Sequence, residues 1–226
     1  MEDFIKQIQE QLGKFLVWLL DTAPVPMELI YNSAKFMNVF VWRAFAVTQS
    51  TATGVFCALP GVNWTLGIGA DIFALLYSMS VTAYGVGAII GSRNGFSSYS
   101  LDKSDYLDVL AVWCDSTEYI QDIQVKSILL GGLTAKKAGL KIGTKAATKA
   151  TFYTASHLGS KAGVKIPTKL LEKAATKIAT KLGVKTGAML TGVGCAVSGG
   201  INAWFVNGIT DAAKVYYTAK FEKRRL

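Results

Sequence analysis

The sequence predicts an all-α fold: a single compact helical domain over residues 1–226, with two apolar, glycine-rich central helices and peripheral amphipathic helices around them. Three observations lead there. Apolar residues near the start recur at three- and four-residue intervals, the stretches 72–91 and 186–210 pass without a charge, and lysines stand every fourth residue through much of 137–185. Hydrophobic residues make up 51% and charged residues 17% of the chain, below the roughly 25% charged of an ordinary soluble domain. Either the core is large or some apolar surface meets lipid.

Phe4, Ile5, Ile8, Leu12, Phe15, Leu16 and Leu19 form one stripe of an amphipathic first helix over 2–20. Two prolines, Pro24 and Pro26, stop it. Leu29, Ile30, Phe36, Met37, Val39, Phe40 and Trp42 predict a second helix over 27–45 with a core role. From 44 to 70 the chain is uncharged, yet Ser50, Thr51, Thr53, Gly54, Pro60, Gly61, Gly67 and Gly69 read as a loop-rich turn. Asp71 then stands before an apolar run and is placed to cap a helix over Ile72–Gly91. Twenty residues at 1.5 Å each match the hydrocarbon thickness, but Gly85, Gly87 and Gly91 favour a buried central helix. After a loop over 92–100, residues 101–123 predict an acidic amphipathic helix or helix pair. Asp102, Asp105 and Asp108 lie within a turn or two of each other, and without the rest of a calcium loop they read as a solvated face or a partner for the basic half.

The formal charge of +9 conceals an asymmetry. Residues 1–122 hold six Lys/Arg and twelve Asp/Glu, net −6, and residues 123–226 hold eighteen and three, net +15. The basic half is repetitive: AGLKIGTK at 138–145 returns as AGVKIPTK at 162–169, and KAATK occurs at 145–149 and 173–177. A step of four advances about 40° around a helix, so a few lysines at a time share a slanting stripe. Pro167 divides the series into two basic helices, the second over Thr168–Leu182. Lys141, Lys145, Lys149, Lys165, Lys169, Lys173, Lys177 and Lys181 are the candidate contacts to an anionic surface. Alanine, threonine and aliphatic residues stand between them, without the aromatic platforms of a single-strand nucleic-acid surface. An anionic bilayer suits them better, since each lysine near it contributes about 1 kcal/mol and its stem lies along the interface.

The last long uncharged stretch, Thr186–Thr210, carries small residues every fourth position at Ala188, Gly192, Ala196 and Gly200. Such a ridge predicts close helix packing. Its polar residues Thr191, Ser198, Asn202 and Asn207 favour a buried helix over a membrane span.

Little points to catalysis. The one histidine, His157, has no nucleophile elbow to serve, and neither GIGAD nor GVGCAVSGG continues into the Lys-Ser/Thr of a phosphate loop. The three cysteines, Cys57, Cys114 and Cys195, form no paired framework. No cofactor and no metal is expected. The start, MEDFIKQIQE, lacks the basic n-region of a secretory signal, so a cytoplasmic location is the expectation.

The Pro60-Gly61 turn leading through Gly69 to Asp71, Tyr84-Gly85, and the block from Gly187 through Gly192 and Gly200 to Asn202, then Ala212, Ala213 and Tyr216-Tyr217, occur in an order that resembles the bacterial EcsC family. The resemblance covers roughly 45–90 and 180–222. It departs from the family at Val62, where a second turn glycine is usual, and in the lysine-dense middle. It implies a helical protein with a membrane-related association. Asp71, Tyr84, Asn202 and Tyr216 are the candidate ligand-binding or partner-facing residues.

The expected function is therefore a non-catalytic, membrane-associated or lipid-interacting protein, peripheral to the inner face of the membrane, with its basic helices on anionic headgroups. The alternatives are a soluble helical module binding an apolar molecule in a central cavity, or a hydrolase-like enzyme using Asp71. Nucleic acid is not favoured, and a protein partner and the oligomeric state are left open.

Overall fold

The computed structural model describes residues 2–57, 64–137, 157–159, 165–189 and 194–222. Within them the chain forms eight α-helices packed in one body: α1 (Glu2–Asp21), α2 (Met27–Ala34), α3 (Val39–Cys57), α4 (Trp64–Arg93), α5 (Asp105–Trp113), α6 (Ile123–Lys137), α7 (Thr168–Met189) and α8 (Gly194–Glu222). A short antiparallel pair, β1 (His157–Gly159) and β2 (Lys165–Pro167), sets Leu158 opposite Ile166 and leads into α7.

The first helix follows its stripe: Ile8, Leu12, Phe15, Leu16 and Leu19 are buried, facing α4 and α7. The single helix expected over 27–45 is two. Asn38 starts α3, its side-chain oxygen accepting the Val41 amide at 2.8 Å, and the chain turns between Lys35 and Asn38. α3 then runs on through Ser50, Thr51 and Gly54, which the sequence marked as a loop. Thr48 and Ser50 donate to the carbonyls of Ala44 and Val47, so their hydroxyls are satisfied inside the helix instead of breaking it.

α4 begins at Trp64, well before Ile72, so Asp71 lies inside a helix and not at its cap. The Pro60-Gly61 turn lies outside the described residues, as does the Asp71 side chain. At its other end α4 closes on Gly95, whose φ of +80° needs a residue without a Cβ. Phe96 N–H donates to Gly91 O at 2.9 Å and Gly95 N–H to Ser92 O at 3.1 Å, the paired bonds of a Schellman stop. The same bonds recur after α5, Ser116 to Ala111 and Asp115 to Val112, with Asp115 at φ +51°.

Of the two apolar central helices expected, one is found as a long apolar helix. Among the described residues only Ile72–Arg93, at 22 residues and mean hydropathy 1.6, is long and apolar enough to cross a membrane, and 72% of its most apolar window is buried within the protein. It is the core helix of this body. The uncharged stretch 186–210 is shared between the end of α7 and the first half of α8, with 190–193 outside the described residues. α8 nevertheless lies at the centre, touching α3, α4, α5, α6 and α7.

Among the described residues, glycines admit the close approaches between helices. A methyl at Gly85 would overlap the Trp42 indole, one at Gly87 would come within 2.6 Å of the Tyr217 ring, and one at Gly208 within 2.6 Å of Trp113 Nε1. Gly200 is exposed with open space at its Cβ position. Gly192 lies outside the described residues, as do the side chains of Ala188 and Ala196. Around Gly85, Gly87 and Gly208 the room left by glycine is filled by aromatic rings.

Candidate functional site

On α5, Asp105 and Asp108 are one helical turn apart and share a face. On α8, Tyr216 and Lys220 are spaced by four and share another. Packing α5 against α8 brings the two faces together, and all four side chains are buried. Lys220 Nζ donates to both Asp105 carboxylate oxygens at 2.5 and 2.7 Å. The Tyr216 hydroxyl stands 2.9 Å from Asp105 Oδ1 and 3.3 Å from Asp108 Oδ2, bridging the carboxyls. The Asp102 amide donates to Asp105 at 3.0 Å. The amides of Gln121 and Asp122, just before α6, donate to Asp108 at 2.7 and 3.2 Å. Lys220 thus pairs with Asp105, Asp108 is joined to the pair through the Tyr216 hydroxyl, and the cluster ties α5, α8 and the entry to α6.

Burial governs the protonation of this cluster. It pushes the Asp108 carboxyl up to about 6, against the pull of the Gln121 and Asp122 amides and with the help of the Asp105 charge. Burial also raises Asp105, opposed by Lys220, the Asp102 amide and Tyr216. Tyr84, Tyr216 and Tyr217 are raised well above 10 by burial and the nearby Asp105 charge, so all three remain phenols. Tyr84 donates to the Lys103 carbonyl at 2.9 Å. The Tyr217 hydroxyl is buried without a hydrogen-bond partner among the described residues.

Of the residues singled out from the sequence, the structure brings Tyr84 and Tyr216 to the neighbourhood of Asp105 and leaves Asn202 elsewhere. The Asn202 amide donates to the Ser50 carbonyl at 2.9 Å, bonding α8 to α3. Lys141, Lys145 and Lys149 lie outside the described residues, as does the Lys165 side chain. The row on α7 is divided. Lys169 and Lys173 are exposed, while Lys177 and Lys181 are half-buried. Lys173 reaches Ser116 at 2.8 Å and Glu118 at 3.2 Å, Lys177 donates to the Trp113 carbonyl and lies over its ring, and Lys181 lies over the Trp204 ring at 4.8 Å.

Of the two readings given to Asp102, Asp105 and Asp108, the solvated face is corrected for Asp105 and Asp108, which are buried, and the partner for the basic half is what Asp105 is to Lys220. Lys220 itself escaped the sequence reading, although its four-residue step from Tyr216 was visible. An outward aromatic face escaped it too. On α3, Phe40, Val41, Ala44, Phe45 and Thr48 are exposed, and Phe36 precedes them in the turn from α2. The core role expected of Phe36 and Phe40 is therefore corrected: their relative exposures are 88% and 78%. α3 buries Trp42, Ala46 and Ser50 instead.

No family model, curated protein or solved structure matches the chain.

Proposed function

We propose that the protein is a non-catalytic, membrane-associated helical protein of the EcsC type, peripheral to the cytoplasmic face of a bilayer, with basic helices against anionic headgroups. The observation that carries this reading is the form of α7. Its inner face, Leu170, Leu171, Ala174, Ala175, Ile178 and Ala179, is buried, so its lysines must stand at or near the surface. Only one acid, Glu172, interrupts them. The Lys173 side chain keeps 48% of its surface exposed even in its pair with Glu118, so its ammonium stays within reach of a phosphate. The charge of the whole basic half adds to this field.

Co-sedimentation with vesicles tests the reading. Pelleting is expected to rise with the fraction of anionic lipid and to fall as salt is raised. Replacing Lys141, Lys145, Lys149 and Lys169 by Gln should weaken binding at least tenfold at about 1 kcal/mol per lysine. Equal pelleting with neutral vesicles would overturn the electrostatic part.

A further inference from the structure

The outer face of α3 has no packing partner among the described residues, and its composition is unusual for water. Phe36, Phe40, Val41 and Phe45 are exposed at 88%, 78%, 46% and 57%, more than isolated surface hydrophobics require. Phe40, Val41, Ala44, Phe45 and Thr48 follow the three- and four-residue steps of one helical face, and the turn holding Phe36 feeds directly into it.

The charges that this stretch of chain itself contributes are of one sign. No Asp or Glu occurs between Leu29 and Ala70, and the charged residues there are Lys35 and Arg43. Lys35 Nζ lies 5.0 Å from the Phe36 ring centroid and Arg43 pairs with Asp211 of α8. A lysine ammonium beside a protruding phenyl is the arrangement in which a ring enters the acyl boundary while the cation stays among headgroups. A second copy of the chain is a poorer occupant. In a two-fold contact the patch meets itself, and this one brings Lys35 without an unpaired carboxylate of its own to receive it.

We infer that the α2–α3 turn and the outer face of α3 form a bilayer-insertion surface, with Phe36, Phe40 and Phe45 entering the interface of an anionic membrane and Lys35 at its headgroups. This rests on the membrane reading above and adds an apolar contact to its electrostatic one. Salt screens the electrostatic contact, and it does not weaken the contact of phenyl groups with the interface.

The test uses the full chain with Phe36, Phe40 and Phe45 together replaced by Ser, on phosphatidylcholine vesicles with and without phosphatidylserine. Because all three are exposed, far-UV circular dichroism and the thermal melt should match wild type, and each single Phe→Ser variant serves as a second series. The expected result is at least a tenfold loss of vesicle affinity for the triple variant, and a loss of the surface-pressure rise that the wild type produces under a lipid monolayer. Unchanged affinity and pressure in the triple variant, with wild type binding normally, would overturn the insertion surface and leave the membrane reading standing. Wild type that pellets with neither vesicle would overturn that reading and the inference with it. A wild-type dimer in sedimentation velocity that the Phe→Ser changes dissociate would assign the face to a second copy and overturn the inference.

Discussion

Asp108 is the residue whose environment has the most direct consequence in solution. Its folded value of about 6 stands above its ordinary value of 3.8 because burial disfavours the carboxylate more than two backbone amides favour it. The folded state therefore holds this proton more tightly than the unfolded chain does. The stability it contributes is complete below about pH 4 and is lost as the pH rises through 6. At about 1.36 kcal/mol per unit, the loss is about 3 kcal/mol. Asp108→Asn keeps an acceptor for the Gln121 amide and removes the titration. Urea titrations at pH 4.5 and 7.5 should show a clearly smaller drop for the variant, and equal drops would contradict this account. The sequence displayed the Asp102, Asp105 and Asp108 spacing but not its surroundings. Burial and counter-charge come from α8, more than a hundred residues away, and no local pattern records which lysine will meet which acid.

At the scale of the element, the glycines show which helix contacts are close and which are only apolar. Gly85 lies under the Trp42 indole, whose Nε1–H donates to the Thr82 carbonyl at 3.1 Å, so the ring is fixed from both sides. Gly85→Ala is expected to force the ring aside and cost about 2–3 kcal/mol. Gly200→Ala, in open space on an exposed face of α8, should be neutral or stabilise by up to about 1 kcal/mol through helix propensity. Chemical denaturation of the two variants side by side checks both signs. Gly200 was expected at a packing surface and stands in open space, because periodicity reports composition along a helix, not what stands opposite. α1 was legible for the complementary reason: its stripe alternates with charged and polar residues, so only one face is available to the core. α3 has just one charge, Arg43, and an apolar helix without polar contrast does not reveal which side faces outward.

For the molecule as a whole, the all-α class and the single body follow from the apolar periodicities, and the assembly order does not. α8 contacts α3, α4, α5, α6 and α7, and it supplies Tyr216 and Lys220 to the polar cluster and Phe205, Ile209, Ala213 and Tyr217 to the core. A chain ended before Gly194 should retain helical signal in far-UV circular dichroism but lose its cooperative melt and bind a hydrophobic dye, since five helices would face water where α8 stood. A sharp transition in that truncated chain would show that α1–α7 form a core of their own.

The pairing of Asp105 with a lysine 115 residues later sets a clock for biosynthesis. A ribosome adding about 5–20 residues per second takes several seconds to travel that distance. Throughout that interval the carboxylates of α5 have no ammonium to enter the core with, and the apolar sides of α3 and α4 have no α8 to cover them. The nascent chain is net acidic when α5 is complete, its first 122 residues carrying −6, and it turns basic only as the lysines after them are added, so it is a partly apolar polymer of changing charge before it is a folded protein.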